Sequence, residues 1–269
     1  MNKHLLIFNL KTNLTMLLSF IAITLTYSTL ATAMFDEETS LLMHQFVNIL
    51  PEAIVNMVRL MGFTRFGTEL TGYLASYLYG FIMFIFPMIF IVMLANKLIS
   101  KQVDDTSMSY LLTTPNSRVK VCTTQALTLF INIFTLIFMN VLIIIAISEI
   151  AFPGHLMIGR FIGLNFVLLG VLTVISSMAF FISVLNSDYG KAVGLSSGLM
   201  GYLFIMNMIK NLSVDLDFFK YTTFLSLVDK DRIFHSTLYT LISGSSTMVI
   251  GIGIYIMSVI IFNKKSLTI

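Results

Sequence analysis

Charge is what this chain has least of. Only 11% of its 269 residues are Asp, Glu, Lys or Arg, where a soluble domain carries about 25%, so most of its surface is not built for water. Tryptophan is absent, and Cys122 is the single cysteine, which excludes an intrachain disulfide framework and a CxxC metal site. The four histidines, His4, His44, His155 and His235, fall outside or at the edges of the long apolar runs, so the facing His and carboxylate ligands of an intramembrane metalloprotease are missing. No G-x-x-x-x-G-K-[ST] phosphate loop is present, because Gly190-Lys191 lacks both the upstream Gly and the following Ser or Thr. The chain has no catalytic or metal-binding constellation. A net charge of +3 is too small to point to a polyanionic partner.

Apolar residues supply the contrast, at 57%, with 24 Phe and 18 Met. A helix needs about 20 apolar residues to cross the hydrocarbon, and six stretches meet that test: 14–34, 72–95, 125–148, 161–185, 192–209 and 236–262. None contains Asp, Glu, Lys, Arg or His. Proton-coupled carriers relay protons through such groups inside the bilayer, so the energy for any active transport is expected to come from another subunit. Serine is frequent in the fourth and sixth stretches, where it serves helix packing far more often than nucleophilic chemistry.

The loop charges set an orientation. With the N-terminus inside, nine of the sixteen Lys and Arg fall in the four cytoplasmic pieces: Lys3, Lys11, Lys97, Lys101, Arg118, Lys120, Lys191, Lys264 and Lys265. This positive-inside bias places both termini in the cytoplasm of a single transmembrane domain covering 1–269, with outer loops at 35–71 and 210–235. In the first outer loop a polar stripe that includes His44, Glu52 and Arg59, interrupted at Pro51, reads as one or two helices along the membrane interface. The first apolar run ends in Ala31-Thr32-Ala33, a signal-peptidase-like site. Its length and a face of small or hydroxyl residues (Thr15, Ser19, Ala22, Thr26, Thr29, Ala33) favour a retained span with a packing surface. Gly190, Gly194 and Gly198 recur every four residues, with Gly201 alongside, and fit close helix packing within the chain or a dimer interface equally well. Pro87 is expected to kink the second span.

The most specific stretch is the cytoplasmic connection 96–124. Residues 98–112 can form a short amphipathic helix that stops ahead of Pro115. Leu98, Val103, Met108, Leu111 and Leu112 would face the membrane or a partner, and Lys101, Asp104 and Asp105 would face water. A plain connector is the alternative.

The run DTSMSYLLTTPNSR, Asp105 to Arg118, resembles the first cytoplasmic segment of ABC-2-type transporter permeases. There an acidic residue, Gly-Thr or Gly-Ser and an apolar residue precede Leu-Leu, Pro and Ser-Arg. Asp105 or Thr106 stands here in place of the usual Gly. The closing IFNKKSL is similar to the family's apolar–Phe–basic-pair–Leu tail, and 221–233 fits its outer segment before the last span. The resemblance implies an all-α integral membrane fold of the type V exporter kind: six spans, a cytoplasmic coupling helix and outer interfacial helices. It implies a half-transporter that pairs with a second copy or a paralogous permease on two copies of a separate ATPase. ATP and Mg would be bound by that ATPase, with no cofactor in this chain. Coupling would fall to Leu98, Lys101, Asp104, Asp105, Met108, Leu111, Leu112, Pro115 and Arg118, and an amphipathic or hydrophobic substrate such as a membrane-active peptide or antibiotic is expected, as in the bacitracin-resistance and lantibiotic-immunity branch. The competing classes are an autonomous carrier or channel and a non-transporting membrane immunity protein.

Overall fold

The computed structural model describes residues 2–36, 49, 51–60, 69–113, 117–212 and 214–265. Every regular element among them is helical, and six helices are long and apolar enough to cross a membrane.

The first span, α1 (Lys3–Ala33), starts well before the apolar run. Asn2 caps it by accepting the Leu5 N–H. Its polar beginning is helical because Asn9 and Asn13 are buried against the rest of the bundle. After α2 (Glu52–Leu60), which begins directly behind Pro51, the second span is composite. It runs from α3 (Leu70–Tyr77) through a π-helical turn (Leu78–Ile82) into α4 (Met83–Leu98). Pro87 lies one turn beyond that widened segment. It has no N–H to offer the preceding turn, so the irregularity of this span has a local cause.

Two short helices follow, α5 (Ser100–Asp104) and α6 (Ser107–Thr113), then α7 (Arg118–Ala151), capped by Ser117. The remaining spans are α8 (Ile158–Leu185), α9 (Tyr189–Ile209) and α11 (Thr237–Lys264). Between the last two, 3₁₀ turns at Val214–Thr222 and Phe224–Leu227 and the short α10 (Lys230–His235) form a cap. Leu225, Val228 and Ile233 hold it down by burying their side chains.

The helix α8 is the centre of the bundle. It packs against α4, α7, α9 and α11 and is apolar on every side, as a helix with no solvent face must be. Its closest neighbour is α11, and the two run parallel. Gly170 meets Gly244 and Thr247, Gly244 meets Phe166, and Gly251 meets Thr173. Tyr255 then donates to the Ser176 hydroxyl at 2.7 Å, and Ser176 donates to the Thr173 carbonyl at 2.9 Å. A second parallel pair, α1 with α7, is polar where the first is tight. Asn9 Nδ2 donates to Gln125 Oε1 at 2.6 Å and Asn140 Nδ2 to Thr24 Oγ1 at 2.9 Å.

These contacts sort the small-residue faces into those that pack within the chain and those that face outward. The α1 face that packs within the chain is Leu5, Asn9, Asn13, Leu17, Ile21, Thr24, Ser28 and Thr32, whereas Thr15, Ser19, Ala22, Thr26 and Ala33 are exposed. Both sets repeat every three or four residues, and the burial of Asn9 and Asn13 against α7 selects between them. Likewise Gly190, Gly194 and Gly198 face outward and Gly201 is half-buried. Apart from Asp188 beside Gly190, no atom comes within 4 Å of where a side chain would begin. Close approach within the chain is instead seen at Gly170, Gly244 and Gly251.

The helices alternate in direction, so two faces result. The near face carries the start of α1, the end of α11 and the α5–α6 segment. On the far face, Phe35 packs edge-on against Tyr73 and Phe152, with ring centroids 5.3 Å apart in each pair, and the Thr71 hydroxyl accepts the Met157 N–H at 2.7 Å. There α2 exposes Ile54 and Met57, as an interfacial helix would. His44 lies outside the described residues.

Candidate coupling segment on the near face

Residues 98–113 do not form one amphipathic helix. The chain bends at Ile99, makes the single turn of α5, turns again at Asp105-Thr106, and makes the short α6. Thr106 has φ of +59°, the left-handed conformation that favours glycine, and no other described non-glycine residue has a positive φ. Asp105 offsets the strain: its carboxylate accepts the Ser107 hydroxyl at 2.6 Å and the Ser107 N–H at 3.1 Å. The Ser107 hydroxyl bond chiefly, with that N–H and Lys101, holds the Asp105 carboxyl below the usual carboxylate range. A β-branched residue in this region costs about 1–2 kcal/mol. A Thr106→Gly chain should therefore slow hydrogen exchange at the Ser109 amide, which bonds to the Thr106 carbonyl at 3.0 Å, without displacing α6.

The segment is tied into the bundle by side chains that sequence reading did not single out. Asn96, at the end of α4, donates to the Val92 carbonyl at 2.8 Å and to Ser196 of α9 at 3.3 Å. The Ser100 N–H donates to Ser183 of α8 at 3.0 Å, and Ser183 donates to the Ala95 carbonyl at 3.2 Å. Gln102 accepts from Gln125 of α7 at 3.1 Å, and Gln125 accepts from Asn9 of α1. A displacement of α5 is therefore felt directly by α7, α8 and the end of α4, and at one remove by α1 and α9. The available signal was Asn96 and Ser100 one turn apart at the end of a span, where unpaired polar groups are costly.

The apolar residues expected to face membrane or partner turn inward instead. Leu98 is 1% exposed and Met108 2%, both in the chain's own core, and Val103, Leu111 and Leu112 pack half-buried against it. The expected water-facing charges Lys101, Asp104 and Asp105 are exposed, and beside them stands Tyr110, 76% exposed. Arg118 is half-buried, and its guanidinium donates to the Lys265 carbonyl at 2.8 Å. The Lys265 ammonium in turn donates to the Val184 and Leu185 carbonyls at 2.9 and 3.0 Å, a cation at the C-terminal end of α8 where the helix dipole favours it. Desolvation there pushes the Lys265 pKa down. Pro115 lies outside the described residues.

Comparison with family models, with curated proteins and with solved structures finds no match for the chain. The functional reading accordingly rests on the residues and their geometry.

Proposed function

We propose that this chain is the membrane-spanning permease subunit of an ATP-driven ABC-2-type exporter, with the near face in the cytoplasm. The observation that carries the reading is the α5–α6 segment. It presents an exposed edge of Lys101, Asp104, Asp105 and Tyr110 to a partner, and hydrogen bonds fasten its inner side to the spans. The reading gives the ATPase subunit this edge and leaves nucleotide chemistry to it.

The outward small-residue faces support the paired assembly. Thr15, Ser19 and Thr26 on α1 and Gly190, Gly194, Gly198 and Gly201 on α9 belong to two helices that both pack on α4, and small residues let a second backbone approach closely. The charge-free spans suit an amphipathic or hydrophobic cargo entering from the bilayer, and flexible Met side chains accommodate varied apolar shapes.

Orientation is tested by impermeant thiol labelling of intact cells, with Cys122 replaced by Ala. Cysteine substitutions at Thr113 and Tyr221, both exposed and on opposite faces, should behave oppositely: Tyr221→Cys labels and Thr113→Cys is protected until the membrane is opened. The reverse pattern removes the coupling assignment.

A further inference from the structure

The near end of the α1–α7 pair is basic, and neither helix supplies an acid there. On α1, Lys3, Ile7, Lys11, Leu14 and Leu18 follow one another by three or four residues, which sets them on one stripe of the helix, and all five are exposed. On α7, Lys120 opens a similar stripe that continues through the half-buried Ile131 to the exposed Phe134 and Phe138. The two stripes adjoin at the near end, where Thr124, one turn beyond Lys120, accepts the N–H of Asn2, the residue before Lys3, at 3.0 Å. Residues 1–35 and 106–148 contain no Asp or Glu. Lys3, Lys11 and Lys120 form no ion pair among the described residues.

Depth separates the charged residues from the apolar ones. Leu14, Leu18, Phe134 and Phe138 lie within charge-free apolar runs that cross the hydrocarbon, whereas all three lysines precede those runs. At 31 residues, α1 is about 46 Å long against a hydrocarbon thickness of roughly 30 Å, so its first turns stand in the polar layer. Both helices start at the near face, and side chains lean toward a helix N-terminus. The lysine stems therefore lie along the apolar stripe with their ammonium groups directed to the headgroup level.

The occupant of this surface must be anionic at the near end and apolar below it. A soluble partner meets only the first requirement, because Leu14 and Leu18 lie inside the bilayer. A second copy of the chain meets only the second, because a two-fold contact through this face sets lysine against lysine. We propose that the near end of the α1–α7 pair binds an anionic phospholipid, with Lys3, Lys11 and Lys120 around its phosphate and Leu14, Leu18 and Phe138 along its acyl chains. Basic groups beside spanning helices attract such headgroups. The assignment needs the spans but not the transporter reading.

The chain contains no tryptophan, so one introduced indole reports on one place. Leu14→Trp stands on the lysine stripe, and Ile260→Trp stands at an exposed position near the same end of α11. Each whole chain is reconstituted in phosphatidylcholine vesicles with a minority of phosphatidylglycerol, and bromine is carried by the acyl chains of one lipid or the other. Brominated phosphatidylglycerol should quench Leu14→Trp several-fold more per mole than brominated phosphatidylcholine, with little preference at Ile260→Trp. Adding Lys3→Gln, Lys11→Gln and Lys120→Gln to Leu14→Trp should abolish the preference. Lys97→Gln, Lys191→Gln and Lys264→Gln remove the same charge elsewhere on the near face and should leave it intact. Equal quenching by the two lipids at Leu14→Trp, an equal preference at both sites, or a preference that survives loss of the three stripe lysines would each overturn the proposal. Weak quenching by both lipids would also overturn it and give the surface to a protein partner. Should the tryptophan chains fail to fold, native mass spectrometry of the wild-type chain from an equimolar detergent mixture of the two lipids decides. Phosphatidylglycerol should be retained selectively, and loss of selectivity in the wild type would overturn the assignment.

Discussion

A Gly251→Val chain should lose much of its stability, while a Gly194→Val chain should fold like wild type. A Cβ on Gly251 would lie 2.9 Å from the backbone carbon of Thr173 and 3.0 Å from its carbonyl oxygen, whereas one on Gly194 would meet nothing within 4 Å. Backbone cannot swing away as a long side chain can, so α8 and α11 would have to separate and loosen the Tyr255–Ser176 bond beyond. Overpacking of this kind costs about 1–3 kcal/mol. Thermal unfolding in detergent, followed by the loss of monodisperse protein, reads the difference. Gly194→Val carries a second message: a normal fold with a lost dimer would place the α9 glycines at the interface between copies.

Much of this architecture was legible in the sequence, and its limits have physical causes. The six spans follow from charge-free apolar runs, and each run lies within or nearly within one of the spanning helices described above. The helix ends were not legible, because polar residues such as Asn9 and Gln125 become helical by finding one another across more than a hundred positions of sequence. Periodicity also could not choose between two faces of α1 or between two sets of glycines, since Thr15/Ser19/Thr26 and Thr24/Ser28/Thr32 repeat alike. Tertiary contact decides such cases, and here it put Thr24, Ser28 and Thr32 inside. In the 98–113 segment the charged positions Lys101, Asp104 and Asp105 were placed correctly. The apolar ones were not, because amphipathicity says that a face is covered without saying by what. The chain's own core covers it, and the left-handed Thr106, which breaks the expected helix, gives no sign in a residue type that rarely adopts that conformation.

Because Leu111 and Leu112 pack on the chain itself, acidic substitutions there would disturb the segment rather than report on a partner. Tyr110 is the informative position. Exposed tyrosines are frequent anchors of binding hot spots, and removal of this one leaves the inward-facing Met108 and Gln102 untouched. A Tyr110→Ala chain is expected to fold and insert normally yet bind the proposed ATPase subunit more weakly by about 2 kcal/mol, or about thirtyfold. Asp104→Ala should act more mildly, since rim charges mainly set encounter and register. Thermal unfolding of the two chains should match that of wild type, which separates a lost contact from a lost fold.

The most direct measurement is co-purification from gently solubilised native membranes, with ATP hydrolysis assayed in the eluate and the associated subunit sequenced. The wild-type chain should bring down an ATPase carrying a G-x-x-x-x-G-K-[ST] loop, in a complex containing two copies of each subunit type, and the Tyr110→Ala chain should bring down little of it. A wild-type chain that elutes without any such ATPase and transports its substrate in proteoliposomes without nucleotide would contradict the account.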